Sequence, residues 1–336
     1  MTDEISLLEA ARVSRGLTQA ELSDASGVAQ AVISKFEGGR LPLDDFRVEL
    51  LARELRVPVA LVDGSVATAP HSRQFHRKQA SLPAKAANRL RADMVLAHVR
   101  VSRLLASPSA ADIPRLPLGS PLEQPADRAR AVRKLWGIAP GPIDNIVALL
   151  EQHGVPCLSW DVSSARVDAI ASWPEDAPPV VLLGSHAPGD RLRFTVAHEL
   201  GHAVMHDLPC ADCEREADEF AAEFLMPRAE IKDSLRDATL PKLAELKRVW
   251  GTSIAALARR AKDVGAITDS AYRALNVELS SGGLRKNEPS PIPREHPTTI
   301  RRAIEQRIDA GQALAEVAEL ALIESDELRI QYLEAA

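Results

Sequence analysis

Apolar residues recur at three- and four-residue spacing through most of this chain, and short β-branched runs interrupt that pattern in one region. Residues 1–65 read as short helices parted by turns. Ile5, Leu8 and Ala11 mark a helix ending near Gly16. "LTQAELSDASG" offers Thr18 as a cap with Glu21 three residues on, a capping box, and stops at Gly27. "VAQAVISKFEGG" is a third helix closed by Gly38–Gly39. "LDDFRVELLARELRV" is a fourth, capped by Asp44 or Asp45, with Phe46, Leu50, Leu51 and Leu55 inward. Leu22, Ile33 and Phe36 belong to the core. Two helices around a short glycine-containing turn form a helix-turn-helix signature.

A mixed connector follows, then a helix over 84–106, then "SPSAADIPRLPLGSPLEQP", whose five prolines predict a linker or an extended wrap. "PADRARAVRKLWG" and "IDNIVALLEQHG" are helical. "VPCLSW", "VDAIASW" and "PPVVLLG", bounded by Pro, Gly and Asp, predict the strands of one small sheet. Helices resume with "LPKLAELKRVW", "SIAALARRAKDVG" and "TDSAYRALNVELSSGG". Beyond the break "NEPSPIPREHP", "TTIRRAIEQRIDAG" and "ALAEVAELALIESDELRIQYLEA" predict two more. The expected fold class is mainly α with a small β-sheet (α+β). Four units are expected: 1–65, a basic connector and Pro-rich linker over 66–124, a core over 125–235, and a helical region over 236–336.

At 336 residues, 46% hydrophobic and 26% charged, the composition is that of a globular protein with two or three domains. No run approaches the roughly 18 apolar residues that span a bilayer, so a membrane role is excluded from the expectations. Three cysteines and no signal-type segment argue against a disulfide framework and for a reducing compartment. The net charge of −6 hides a basic stretch. From His71 to Ala106, eight Lys/Arg (Arg73, Arg77, Lys78, Lys85, Arg89, Arg91, Arg100, Arg103) face one acid, Asp93. That stretch suits a polyanion or an acidic partner surface, or is the solvated face of one long helix.

The chemistry concentrates in "FTVAHELGHAVMHDLPCADCEREADEFAAEFLMP". His198 and His202 are four apart on an apolar helix, about 40° and about 6 Å from each other, so their rings can converge on one ion. Glu199 between them is placed to hold a water and take its proton as general base. His206, eight residues after His198, is about 12 Å further along the axis and fits a helix-end or supporting role. Gly201 weakens a helix and so needs a close neighbour, such as a crossing backbone. A third ligand is expected on the next helix. Glu214 shares a face with Ala217, Ala221 and Leu225, and Glu216 aligns with Phe220; geometry alone leaves both open. Cys210-x-x-Cys213 reads as a redox pair, as half of a further zinc site that lacks a second Cys pair, or as two ordinary loop thiols.

"FTVAHELGHAVMH" followed by "EREADEFAAEFLMP" resembles the ImmA/IrrE metallopeptidases, most strongly over Pro125–Pro227. The resemblance implies zinc held by His198, His202 and Glu214, with Glu199 as the base; manganese would substitute in vitro. It further implies a gluzincin-like endopeptidase that cuts a repressor-type protein in a stress or mobile-element response. The peptide would lie as an added strand on a sheet edge, "PPVVLLG" being the expected one. Tyr272, Tyr332, His153 and His186 are left without a role as oxyanion donors.

"LTQAELSDASGVAQAVISKFEGGRLPL" resembles the XRE (Cro/C1-type) helix-turn-helix. That match implies an operator contacted by Gln19 at a phosphate and by Gln30, Ala31, Ser34 and Lys35 in the major groove, with Arg12, Arg15 and Arg40 clamping the backbone. Residues 1–65 nevertheless hold seven Lys/Arg against eleven Asp/Glu, a net of −4. Such a head needs a homodimer or the basic stretch to bind DNA well. The resemblances together imply a cytoplasmic bacterial protein working at the nucleoid. Two alternatives stand beside the peptidase: a transcription factor whose peptidase-like fold senses a ligand or partner, and an antitoxin-like protein.

Overall fold

The computed structural model describes residues 5–66, 83–105, 111–119, 123–161, 167–174, 177–208, 210–285 and 287–334. Arg73, Arg77 and Lys78 of the basic stretch lie outside the described residues, as do parts of the Pro-rich segment.

Five helices form the head: α1 (Leu7–Ser14), α2 (Gln19–Ser26), α3 (Gln30–Glu37), α4 (Asp45–Leu55) and α5 (Val59–Val62). The Thr18–Glu21 capping box has both halves in place, and Gly27 takes the left-handed conformation (φ 75°) that ends α2. Leu8, Leu22, Ile33, Leu51 and Leu55 fill the core. Phe46 does not: it is 70% exposed. Asp44 is the cap, and the helical phase set from it turns Val48, Leu51, Ala52 and Leu55 inward instead. Leu50 and Phe36 are half-buried at the edge.

Helix α6 (Ala84–Leu104) joins the head to everything else. Ala92, Leu96 and Val99 enter the head core, while Leu90, Met94, Ala97, Val101 and Leu104 enter a second core against the sheet. Within the described residues the apolar faces of this basic helix are buried on two sides, Lys85 is exposed, and Arg89, Arg91 and Arg103 are half-buried. Arg100 is buried, Arg103 donates to the Leu320 carbonyl (2.6 Å), and Arg89 lies 3.8 Å from Asp93. Burial on two sides leaves the charged ends to reach out along the helix flanks on their apolar stems.

The body is a three-stranded sheet between helical layers. It begins with α7 (Pro125–Leu135) and α8 (Ile146–Gln152), followed by β1 (Cys157–Trp160), β2 (Ala169–Ser172) and β3 (Val180–Gly184). The strand order is β1-β3-β2; β1 runs parallel to β3 (Cys157 opposite Val181) and β2 antiparallel (Ala169 opposite Leu183). The expected edge strand "PPVVLLG" is thus the central one: β3 is paired on both sides and wholly buried, and the edges are β1 and β2.

Strand alternation divides the sheet between two cores. Cys157, Ala169, Ala171, Val181 and Leu183 face α7, α8, α9 (Gly189–Met205) and α10 (Cys213–Leu225). This core continues past α11 (Arg228–Ile231) through α12 (Leu240–Trp250), α13 (Ile254–Asp263) and α14 (Asp269–Ser281), so apolar packing passes residue 235 without a break. Leu158, Trp160, Ile170, Val180 and Leu182 face α6, α15 (Thr299–Asp309) and α16 (Leu314–Leu320). The last expected helix is broken into α16, α17 (Ser325–Leu328) and a π-helical turn, Arg329–Glu334. The chain leaves the helix at Leu322 (φ 54°), which enters the head core, while Ile323 enters the second core.

Candidate metal centre

Helix α9 is buried along nearly all its length, and the chain closes both of its ends. At the N-terminus Gly189 sits where a Cβ would strike the backbone of Ile292 and Pro293 in the Pro-rich break. That break is held by buried pairs: Lys247 reaches Asp190 (2.6 Å) and Glu288 (2.8 Å), and Arg193 pairs with Glu295. At the C-terminus residues 111–119 run as an extended wrap. The Arg115 guanidinium donates to the Ala203 carbonyl (2.6 Å) and the Leu116 amide to the Val204 carbonyl (2.8 Å), two of the last-turn groups a helix leaves unsatisfied.

Gly201 lets α10 lie against α9. A Cβ there would stand 3.1 Å from the Phe220 ring, so the close neighbour is a side chain, not the backbone that the sequence suggested. Ala217 and Ala221 complete the contact. Glu223 further along α10 is also buried and takes Arg130 (2.8 Å) and Arg260, tying α7, α10 and α13 together. Neither Glu223 nor Lys247 was singled out from sequence, because their partners lie tens of residues away.

The close approach of α9 and α10 brings three donors together. Nε2 of His198 and Nε2 of His202 are 3.1 Å apart, and the Glu214 carboxylate lies 3.6 Å from the first and 3.4 Å from the second. Ligands at about 2.0–2.1 Å around one tetrahedral ion would be separated by roughly 3.3 Å. His198 and His202 are 3% and 1% exposed, and Glu199 is 8% exposed on the same helix.

The other ring nitrogens are also occupied. Nδ1 of His198 lies 2.8 Å from the Asp218 carboxylate, which sequence reasoning missed although the i, i+4 spacing from Glu214 was available to suggest it. Nδ1 of His202 is 3.0 Å from Nδ1 of His206, whose Nε2 is 3.0 Å from Glu216. The protons then run in one direction: His202 Nδ1–H to His206, and His206 Nε2–H to Glu216. Nε2 of both first rings then faces Glu214, and once the proton on His198 is displaced both lone pairs converge, the arrangement that fits a divalent ion and its supporting shell. Glu216, the alternative third ligand, serves His206 instead.

Burial works against charge on His198, but the hydrogen bonds to Asp218 and Glu214 and the charge of Glu199 outweigh it and raise the ring to about 9. An ion would displace that proton. His206 moves the other way, lowered by burial against the opposing pull of Glu216.

The remaining expected residues fall elsewhere. His153 stacks on Trp136 (4.1 Å between centroids), His186 lies 3.6 Å from Asp168, Tyr332 is in the second core, and Tyr272 sits under Lys262 on α14. Cys157 is buried in β1, and burial pushes its thiol up. Cys210 and Cys213 are bonded to each other, a local pair of the kind the redox reading of C-x-x-C allowed and not a framework, with their Cα atoms 5.2 Å apart.

In the head, Gln30, Ala31, Lys35 and Arg40 are exposed and Ser34 is half-buried on α3 and its following turn. Arg12 is not available to clamp DNA, whereas Arg15 is exposed. Arg12 is buried in a two-pronged pair with Glu37 (2.7 and 2.9 Å), and Arg15 pairs with Glu327 (2.6 Å). Gln19 donates to the same Glu37 (2.7 Å).

Residues 150–262 match the peptidase M78 family, described as the IrrE N-terminal-like domain, and residues 8–62 match the helix-turn-helix family. Among curated proteins none matches the chain. No helix of the described residues is long and apolar enough to cross a membrane. In one chain, therefore, a helix-turn-helix of the XRE type is followed by a domain of the ImmA/IrrE-like M78 peptidase family.

Proposed function

We propose that this protein is a DNA-bound, cytoplasmic regulator whose M78 domain is a zinc-dependent endopeptidase acting on a repressor-type protein. The convergence of His198, His202 and Glu214, with both imidazoles held from behind, carries this reading. Zinc bound there supplies Lewis acidity toward a carbonyl and makes a water a better nucleophile at neutral pH. Glu199 takes that water's proton and passes it to the leaving amine. Strand β2 is the edge that packs against α9, so a substrate segment paired along it would run past the donors. In the head, Gln30 and Lys35 read base edges, Ala31 meets a thymine methyl, and Arg40 holds a phosphate.

Incubating the protein with zinc and candidate repressors, and mapping fragments by mass spectrometry, tests the reading. Glu199→Gln should keep the ion and lose about 10²–10⁴-fold of the cleavage rate. A second reading, a sensor with little proteolysis, draws on the way the head is packed onto the body through α6, Leu322 and the Arg15–Glu327 pair. Target-gene regulation that survives Glu199→Gln untouched would favour it.

A further inference from the structure

Beside the three-donor centre lies a second group whose ligand atoms are all within 4.8 Å of one another: His206, Cys210, Cys213 and Glu216. It is built from the end of α9, the connecting loop and the first turn of α10. Nε2 of His206 is 3.0 Å from the Glu216 carboxylate, and Sγ of Cys210 is 4.0 Å from the same carboxylate. His206 and Cys213 are buried, and Cys210 is at the surface, so the cluster has a closed side and an open side. Two cysteines separated by two residues are the usual thiolate half of a structural zinc site, and an imidazole with a carboxylate supplies the other half. Cys213 is also the first residue of the 13-residue helix that carries Glu216.

We propose that this cluster is a second metal site, selective for a thiophilic divalent ion such as zinc, which opens when the Cys210–Cys213 bond is reduced. The bonded sulfurs cannot both ligate. Two molecules of a small thiol, RSH, convert the disulfide to two thiols and leave as RS–SR. Capture of the ion then releases the two thiol protons, and the sulfurs part to roughly 3.8 Å across the ion at a Zn–S distance of about 2.3 Å. In a reducing compartment the dithiol is the resident form, and the pair is a metal clasp rather than a staple. The site also touches the first centre. A neutral His206 ring that gives its Nε2 lone pair to an ion keeps its proton on Nδ1, and can no longer accept from His202. Filling the second site removes a support of the first.

Cobalt(II) titration of the full chain tests this without relying on proteolysis. After thiol reduction and anaerobic removal of the reductant, a thiolate-to-cobalt charge-transfer band should grow and saturate by two equivalents, since the first centre also takes an ion. It should be lost in the oxidised protein and in Cys210→Ser/Cys213→Ser. His206→Ala or Glu216→Gln should weaken the binding that the band reports. Absence of the band from the reduced protein would overturn the proposal. So would a band that persists in the double serine variant, or one indifferent to both His206→Ala and Glu216→Gln. The band should survive His198→Ala, which empties the first centre, so the two readings fail separately.

Discussion

Helices α3 and α9 carry the two expected functions of this chain, and they are built in opposite ways. Helix α3 has eight residues and presents Gln30, Ala31 and Lys35 to solvent; only Ile33 and Glu37 are buried. Helix α9 has 17 residues and buries His198, Glu199 and His202 along with almost everything else. DNA imposes its own geometry on long side chains, so a reading helix needs only a rigid base, here the Arg12–Glu37 pair behind it. An ion has no such power over separate side chains. Its ligands must be held by second nitrogens, capped helix ends and a glycine that admits the neighbouring helix.

That contrast can be broken. The largest effect is expected at the base of the reading helix: Glu37→Ala leaves Arg12 buried without its partner and should cost about 3–5 kcal/mol. Chemical unfolding should register this as loss of DNA binding while the ion content of the body stays unchanged. Loss of both together would show that head and body are one cooperative unit.

A smaller test concerns α6, which links the two. His98 is buried against Ser172 of β2 (2.6 Å), and burial lowers its ring to about 4. The folded ring is neutral, while the unfolded chain takes a proton below about 6.5. Stability should thus be flat above that pH and fall by up to about 3 kcal/mol between pH 6.5 and 4. His98→Asn should flatten that part of the curve in urea unfolding at several pH values.

Asp218→Asn probes the support of the ion directly. Its carboxylate is 62% exposed, so a loss near the low end, about tenfold in metal affinity by competition with a chelator, is expected. Unchanged affinity would remove the argument for a pre-set His198. The smallest effect belongs to Arg40→Ala: operator binding should weaken evenly across sequences, and the salt dependence should fall by about one ion. A sequence-selective loss would instead give Arg40 a reading role.

The head was legible in the chain to an unusual degree, because Thr18, Glu21, Gly27 and Asp44 act on neighbours three or four residues away. The same locality made His198 and His202 readable, since a single turn of helix relates them. Phe46 was misjudged because apolar character alone does not say which way a helix turns. The central place of β3 was missed for a related reason: a five-residue buried run looks alike at an edge and in the middle of a sheet. Arg12 looked like a DNA clamp until Glu37, distant in sequence, proved to hold it in the core.

The sequence by itself determined the helices, their caps and the pair of imidazoles, all of which depend on contacts within about one helical turn. Tertiary structure alone decided that Glu214 faces those rings, that Asp218 and His206 hold them from behind, and that the two cysteines stand beside Glu216. Those relations require α9 and α10 to meet at Gly201 and Phe220, and the distance between two packed helices is fixed by the side chains at their contact rather than by local spacing.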